Sequence, residues 1–214
     1  MKYEAVIFDF DGVIVDSEVI FTAALKQFFE TLGFEADQPL LNQFTGIPVN
    51  ATIRKIQHLV PDRYSEEELQ NGLANMYRTC IANHYAKPMP GVQEFFDLLK
   101  EKGIRTALGT SRGKENVLSY IRDVGLEMPF DVVVTHEDVT KGKPDPETFL
   151  KAAEKLAVEK DRILIIEDSE NGIRAGRAAG IFTVGFKGSS VVQNTAEADK
   201  EVSSYEELKN WLQL

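Results

Sequence analysis

The sequence predicts an α/β fold: a parallel sheet flanked by helices and interrupted after its first strand by a helical insert. Three observations predict it. Short apolar runs recur without internal alternation, as in strands buried on both faces of a parallel sheet. Stretches with apolar residues at helical spacing lie between these runs. One long segment, from Ser17 to about Lys87, shows helical periodicity and no clear strand.

The elements follow in order. Ala5-Val6-Ile7-Phe8 is the first buried run. In the helical segment, Phe21, Leu25, Phe28, Phe29 and Leu32 form one amphipathic stripe, stopped at Gly33. Ser65-Glu66-Glu67-Glu68 spells a capping box that leads into Leu69, Leu73, Met76 and Tyr77. Pro88-Met89-Pro90-Gly91 punctuates the return to the sheet. Val92 to Lys100 then reads as a helix through Val92, Phe95, Phe96 and Leu99, ending before Gly103. Further strands are expected at Ile104 to Leu108, Val132 to Val134, Ile163 to Ile166 and Phe182 to Val184. Helices are expected at Asn116 to Val124, Thr148 to Leu156 and Gly172 to Ala179. Ser204-Tyr205-Glu206-Glu207 is a second capping box, opening a last helix.

This alternation describes a Rossmann-like core, discontinuous over residues 1–15 and 89–214, with a helical domain at 16–88. Ligands of such sheets bind beyond the carboxyl ends of the strands. An insert leaving from that edge is expected to hang over the site as a lid, hinged near Val15–Ser17 and Lys87–Gly91.

Composition narrows the function. Of the 214 residues, 43% are hydrophobic and 27% charged, a globular rather than a disordered balance. The apolar runs are a few residues long, whereas a membrane span needs about 20. Met1-Lys2-Tyr3-Glu4 followed by Ala5 to Phe8 is too short for a signal-peptide core. The lone Cys80 forms neither an internal disulfide nor a Cys-rich zinc site, so a reduced, cytoplasmic setting is expected. A net charge of −10 disfavours nucleic acid and anionic membranes as partners. A small anionic substrate would then need a local cation or a cluster of amide donors. A monomer is the default expectation.

The chemistry sits where the buried runs end. The first ends in Asp9-Phe10-Asp11-Gly12, another in Gly109-Thr110-Ser111, a third in Glu167-Asp168-Ser169. Lys141-Gly142-Lys143-Pro144-Asp145-Pro146 lies between the last two. In a parallel sheet these ends face one edge, where four carboxylates, two hydroxyls and a lysine converge. Crowded carboxylates repel and shift one another's pKa. A hard divalent cation such as Mg2+ compensates them. A calcium loop would need oxygen ligands where Val13, Ile14 and Val15 stand. A P-loop reading of Gly109 to Lys114 has the wrong spacing and puts Glu115 where a hydroxyl should follow. A single aspartate after a strand is as often a turn residue or a helix cap; the joint occurrence, in this order and each at a strand end, is what points to a site.

Asp9-Phe10-Asp11-Gly12-Val13, Thr110, Lys143-Pro144 and Glu167-Asp168, in this order, resemble the four motifs of the haloacid dehalogenase superfamily. The resemblance spans nearly the whole chain, because the helical insert matches the position of that superfamily's cap. It is nearest to the subfamily of small sugar-phosphate phosphatases and phosphosugar mutases. It implies that Asp9 attacks phosphorus to form an aspartyl-phosphate. It implies that Asp11 protonates the leaving oxygen and then activates water. Mg2+ would be held by Asp9, Asp168 and the Asp11 carbonyl, with Glu167 beside it. Thr110 and the Ser111 amide would hold the transferring oxygens, and Lys143 would bridge phosphate and Asp9. Gly12 joins Ser111 as a substrate-binding position, and Arg112 and Lys114 could reach a distal anionic group. Each like-charge pair at ~4 Å costs about 4 kcal/mol at an effective dielectric of 20, so compensation is this site's central task.

An acid at Asp11 favours phosphoryl transfer over halide displacement. The mutase pattern has a histidine where Phe21 stands and an arginine after a cap glycine that Gly46-Ile47-Pro48-Val49 does not supply. The expected function is a Mg2+-dependent phosphatase of a small phosphorylated metabolite, foremost a sugar phosphate. A phosphosugar mutase is the alternative. A receiver-like signalling module stands third, since such modules have no insert after their first strand. His58, His84 and His136 show no ligand spacing, and Cys80 and Trp211 read as packing residues.

Overall fold

The structure, a computed structural model, describes residues 2–44, 49–60, 64–82, 87–190 and 193–214. In chain order its elements are β1 (Ala5–Phe8), β2 (Val15–Asp16), α1 (Glu18–Thr31), α2 (Gln38–Asn42), α3 (Val49–Gln57) and α4 (Glu66–Ala82). There follow β3 (Lys87–Pro88), α5 (Val92–Glu101), β4 (Arg105–Gly109), α6 (Lys114–Asp123), β5 (Val132–Val134) and α7 (Glu147–Leu156). The chain ends with β6 (Ile163–Glu167), α8 (Glu170–Ala178), β7 (Phe182–Phe186), β8 (Lys200–Val202) and α9 (Tyr205–Leu212). Gly46-Ile47-Pro48 and His84, singled out in the sequence, lie outside the described residues.

Six strands make one parallel sheet in the order β5-β4-β1-β6-β7-β8. β1 lies in its middle and is buried throughout. Its two faces explain the missing alternation. Ile7 joins Ala107, Ile163 and Ile165 on one face, packed against Phe149, Ala152 and Leu156 of α7. Phe8 points the other way, its ring 6.1 Å from Phe95 and 6.2 Å from Phe96 of α5. Burying such a side chain contributes about 1.5–3 kcal/mol, so a polar residue is costly at either position. Trp211 of α9 stacks on Phe182 at 5.7 Å.

The chain divides into two compact units, Met1–Asp16 with Pro88–Leu214, and Ser17–Lys87. The first holds the six-stranded sheet. The second has its own core. Leu25, Phe28, Phe29 and Leu32 of the predicted stripe meet Ile53 and Ile56 of α3 and Leu69 and Leu73 of α4. Cys80 is buried. Gly72 is needed there, because a Cβ would lie 2.5 Å from the Phe28 ring. The Ser65 box forms fully: Ser65 N–H donates to the Glu68 carboxylate at 2.8 Å and Glu68 N–H to Ser65 Oγ at 3.2 Å.

Several details differ from the sequence reading, the short strands β2 and β3 among them. β8 was not expected, because Lys200 and Glu201 lack an apolar pattern; an edge strand needs none on its open side. Helices α6 and α8 begin a little earlier than their apolar periodicity, since their first turns are polar. At α9, Glu207 N–H donates to Ser204 Oγ as a cap should, but the Glu207 carboxylate accepts from Ser203 N–H at 2.7 Å rather than from Ser204. Among the described residues no helix is long and apolar enough to cross a membrane.

Candidate active site

Strand register places the site. Phe8 pairs with Leu108 on one side and Ile166 on the other. The next residues, Asp9, Gly109 and Glu167, therefore emerge level with one another. The ladder continues past the strands: Asp9 N–H donates to Ile166 O at 2.9 Å and Thr110 N–H to Val134 O at 3.0 Å.

Asp9, Glu167 and Asp168 are all buried, and each offers an oxygen within 4.8 Å of the others. Lys143 reaches into the group. Its Nζ donates to Asp9 Oδ1 at 2.6 Å, to Glu167 Oε1 at 2.8 Å and to the Gly109 carbonyl at 3.0 Å. Burial alone would lower the Lys143 ammonium, but Asp9 and Glu167 hold it well above the usual lysine range. One cation does not offset the carboxylates. Burial, opposed by Lys143 and aided by Glu167 and Asp11, pushes Asp9 up to about 7. Burial and the charges of Glu167, Asp9 and Asp11 likewise push Asp168 up.

Glycines make the crowding possible. Gly12 has φ +67°, and a Cβ there would lie 1.8 Å from Asp168 Oδ2. A Cβ on Gly172 would lie 1.6 Å from Glu167 Oε1. Ser169 caps α8 through Gly172 N–H and also donates to Glu167 Oε2 at 2.9 Å. The donor set is all hard oxygen, buried, close together and short of positive charge. That fits a divalent cation that prefers carboxylates, so the cluster could hold a metal.

The other predicted residues fall into two groups. Asp11 and Arg112 are brought together: Arg112 Nε donates to Asp11 Oδ2 at 2.7 Å and Nη2 to Oδ1 at 2.6 Å. Thr110 is buried, and its Oγ1 accepts from Arg112 N–H at 3.1 Å; Ser111 beside it is exposed. Lys114 is not in the Asp9 group. It is exposed, and its N–H donates to Glu137 at 3.2 Å. Its ammonium acts on Asp138, which is held below the usual range chiefly by Thr135 N–H.

Two contributors escaped the sequence reading. Gln193 Nε2 donates to Asp168 Oδ2 at 3.4 Å, from a loop with no motif of its own. Tyr205 of α9 donates its hydroxyl to the Val13 carbonyl at 2.7 Å, steadying the turn after Asp11. Its place inside an unremarkable capping sequence gave no signal of this.

Residues 6–186 match the family described as haloacid dehalogenase-like hydrolase. A phosphorylated carbohydrates phosphatase of Thermotoga maritima is 33% identical over 178 residues, 83% of this chain and 82% of its own. A β-phosphoglucomutase of Bacillus subtilis is 30% identical over 188 residues, 85% of this chain and 82% of its own. A solved HAD family hydrolase from Deinococcus radiodurans, with bound phosphate and sodium, has a TM-score of 0.84 at 25% identity. That likeness covers 99% of this chain and 95% of the other. With its motif residues gathered at the ends of adjacent parallel strands, the chain belongs to the haloacid dehalogenase-like hydrolase family.

Proposed function

We propose that the protein is a Mg2+-dependent phosphatase of small phosphorylated metabolites, sugar phosphates foremost, acting through an aspartyl-phosphate on Asp9. The observation that carries this reading is the buried Asp9–Lys143–Glu167–Asp168 cluster at the end of β1 and β6. The carbohydrate phosphatase among the relatives and the phosphate bound in the Deinococcus structure support the substrate class.

In this reading Asp9, Asp168 and the Asp11 carbonyl would hold the cation, with Glu167 beside them. When bound, it supplies the positive charge that the cluster lacks and that a phosphate dianion requires. An Asp9 carboxylate oxygen attacks phosphorus, and the bond from phosphorus to the ester oxygen breaks. Asp11 gives its proton to that departing oxygen. Water then attacks the phosphorus, Asp11 takes the water's proton, and the bond to Asp9 breaks to release phosphate. Lys143 keeps Asp9 oriented and offsets its charge throughout. Thr110, with the Ser111 N–H and Gly12, receives the phosphoryl oxygens. The test is Asp9→Asn with a panel of phosphorylated metabolites, with and without Mg2+. Turnover should fall on the order of 10^3-fold or more while the circular dichroism spectrum is unchanged. An Asp9→Asn enzyme that hydrolyses esters normally removes the nucleophile assignment.

A mutase is the second reading, favoured by the β-phosphoglucomutase among the relatives. It uses the same Asp9 and Asp11 but returns the phosphoryl group to sugar. Incubation with β-glucose 1-phosphate and a bisphosphate primer separates the two: glucose 6-phosphate marks a mutase and free phosphate a phosphatase. The match to a hydrolase family leaves the receiver-like reading without support.

A further inference from the structure

We propose that Tyr205 is a positioning residue for the cation. Its hydroxyl, acting through Val13, fixes the direction of the Asp11 carbonyl and so sets how tightly the site takes Mg2+. This rests on the reading above, in which that carbonyl joins Asp9 and Asp168 around the metal.

The turn after β1 is held one peptide plane at a time. Gly12 N–H donates to Val15 O at 2.8 Å. In a trans peptide the carbonyl points opposite to the N–H of the same plane, so this bond turns the Asp11 carbonyl away from Val15. Ile14 N–H donates to Phe10 O at 2.9 Å. The carbonyl of that second plane is Val13's, and the Tyr205 hydroxyl donates to it at 2.7 Å. The second plane is thus gripped at both ends. Gly12, with φ +67° and no Cβ, is the soft joint beside the first. Val13 is fully buried, so without the hydroxyl its carbonyl loses a donor where solvent does not reach. The plane then turns toward another partner, and Gly12 passes that turn on to the Asp11 carbonyl.

Tyr205 is well placed to act as a fixed point. It opens α9, where Ser204 Oγ accepts from Glu207 N–H at 3.1 Å. It is 1% exposed, and its ring packs 4.8 Å from that of Phe186 and 5.1 Å from that of Phe95. A ring wedged in this way has little freedom to change rotamer. Burial, with the charge of Asp9, holds the phenol well above the usual tyrosine range, so it remains a donor. The contact joins positions 192 residues apart, and α9 lies beyond the residues 6–186 that match the family. The tie on the turn is therefore made from outside the motifs it serves.

Calorimetric titration of the protein with Mg2+, with no ester present, tests the idea on Tyr205→Phe, which keeps the ring and removes only the hydroxyl. Its Kd for Mg2+ should rise about tenfold, the size of effect that partners behind a metal ligand exert. Hydrolysis of p-nitrophenyl phosphate should fall about fivefold at Mg2+ equal to the wild-type Kd, and return to within about twofold of wild type at saturating Mg2+. Trp211→Phe is the control, since it trims α9 against Phe182 and leaves the turn alone. It should lower the melting temperature without changing Kd. Phe186→Leu, which frees the Tyr205 ring but keeps its hydroxyl, should raise Kd about threefold, and it carries the comparison if Tyr205→Phe does not fold. An unchanged Kd in Tyr205→Phe overturns the inference. So does a rise of equal size in Trp211→Phe, or a loss of activity that saturating Mg2+ does not restore. A wild type that takes up no Mg2+ or hydrolyses no phosphate ester would instead overturn the reading on which the inference rests.

Discussion

Gly12 shows how narrowly the site is fitted. Its left-handed φ of +67° leaves the Asp168 carboxylate in the space where a Cβ would stand. Gly12→Ala has to pay roughly 1–2 kcal/mol of backbone strain and also to push Asp168 aside. Gly103 is the control, with φ +69° and nothing within 4 Å of the Cβ position. Both variants should lower the melting temperature. Gly12→Ala alone should also diminish the rise in melting temperature that Mg2+ brings, and equal Mg2+ responses would contradict this account of Gly12. At this scale the sequence was legible where chemistry follows an apolar run, as with Asp9 and Glu167-Asp168. It was not legible where a contact joins distant positions. Nothing local announces that Gln193 meets Asp168, or that Arg112 grips Asp11 from the next strand's loop.

Helix α7 and the loop before it are tied together by the Glu147 carboxylate. Glu147 accepts from Lys151 at 2.7 Å, from Thr140 N–H at 3.0 Å and from Lys141 N–H at 2.8 Å. These bonds steady the loop that carries Lys143. Lys151, with the two backbone N–H groups, draws the Glu147 carboxyl down to about 2 from an ordinary value of 4.5. A carboxylate lowered on folding adds stability above its unfolded pKa and loses it as pH falls through the folded one. Glu147→Gln should therefore melt below wild type at pH 7. The gap should narrow from about pH 4.5 and close near pH 2, as thermal unfolding across that range would show. A gap that does not change with pH would mean that the charge of Glu147 contributes nothing. Elements were legible wherever one face is buried, which is why the five apolar runs and the Phe21–Leu32 stripe hold. β8 and the polar first turns of α6 and α8 lack that signature, since half of each faces solvent.

For the whole molecule, the cost of gathering three carboxylates around one lysine has to be met by the rest of the fold. Any cation that binds the folded state alone returns part of it. Mg2+ at a hundredfold excess over its Kd should raise the melting temperature by about 5–10 °C. Asp168→Asn should abolish most of that rise, and no response of the wild type to Mg2+ would remove the metal assignment. The architecture was legible because alternation of buried runs and amphipathic stretches admits few topologies. The strand order was not, because nothing in the run of residues states that β1 lies between β4 and β6.

That central position has a kinetic consequence. The Asp9 N–H belongs to the ladder between β1 and β6, so it opens to solvent only when the middle of the sheet comes apart. Its deuterium uptake should follow the slowest class in the protein, with no faster phase before global unfolding. The nucleophile is thus held with the permanence of the core, and substrate arrives at a geometry that it does not have to assemble.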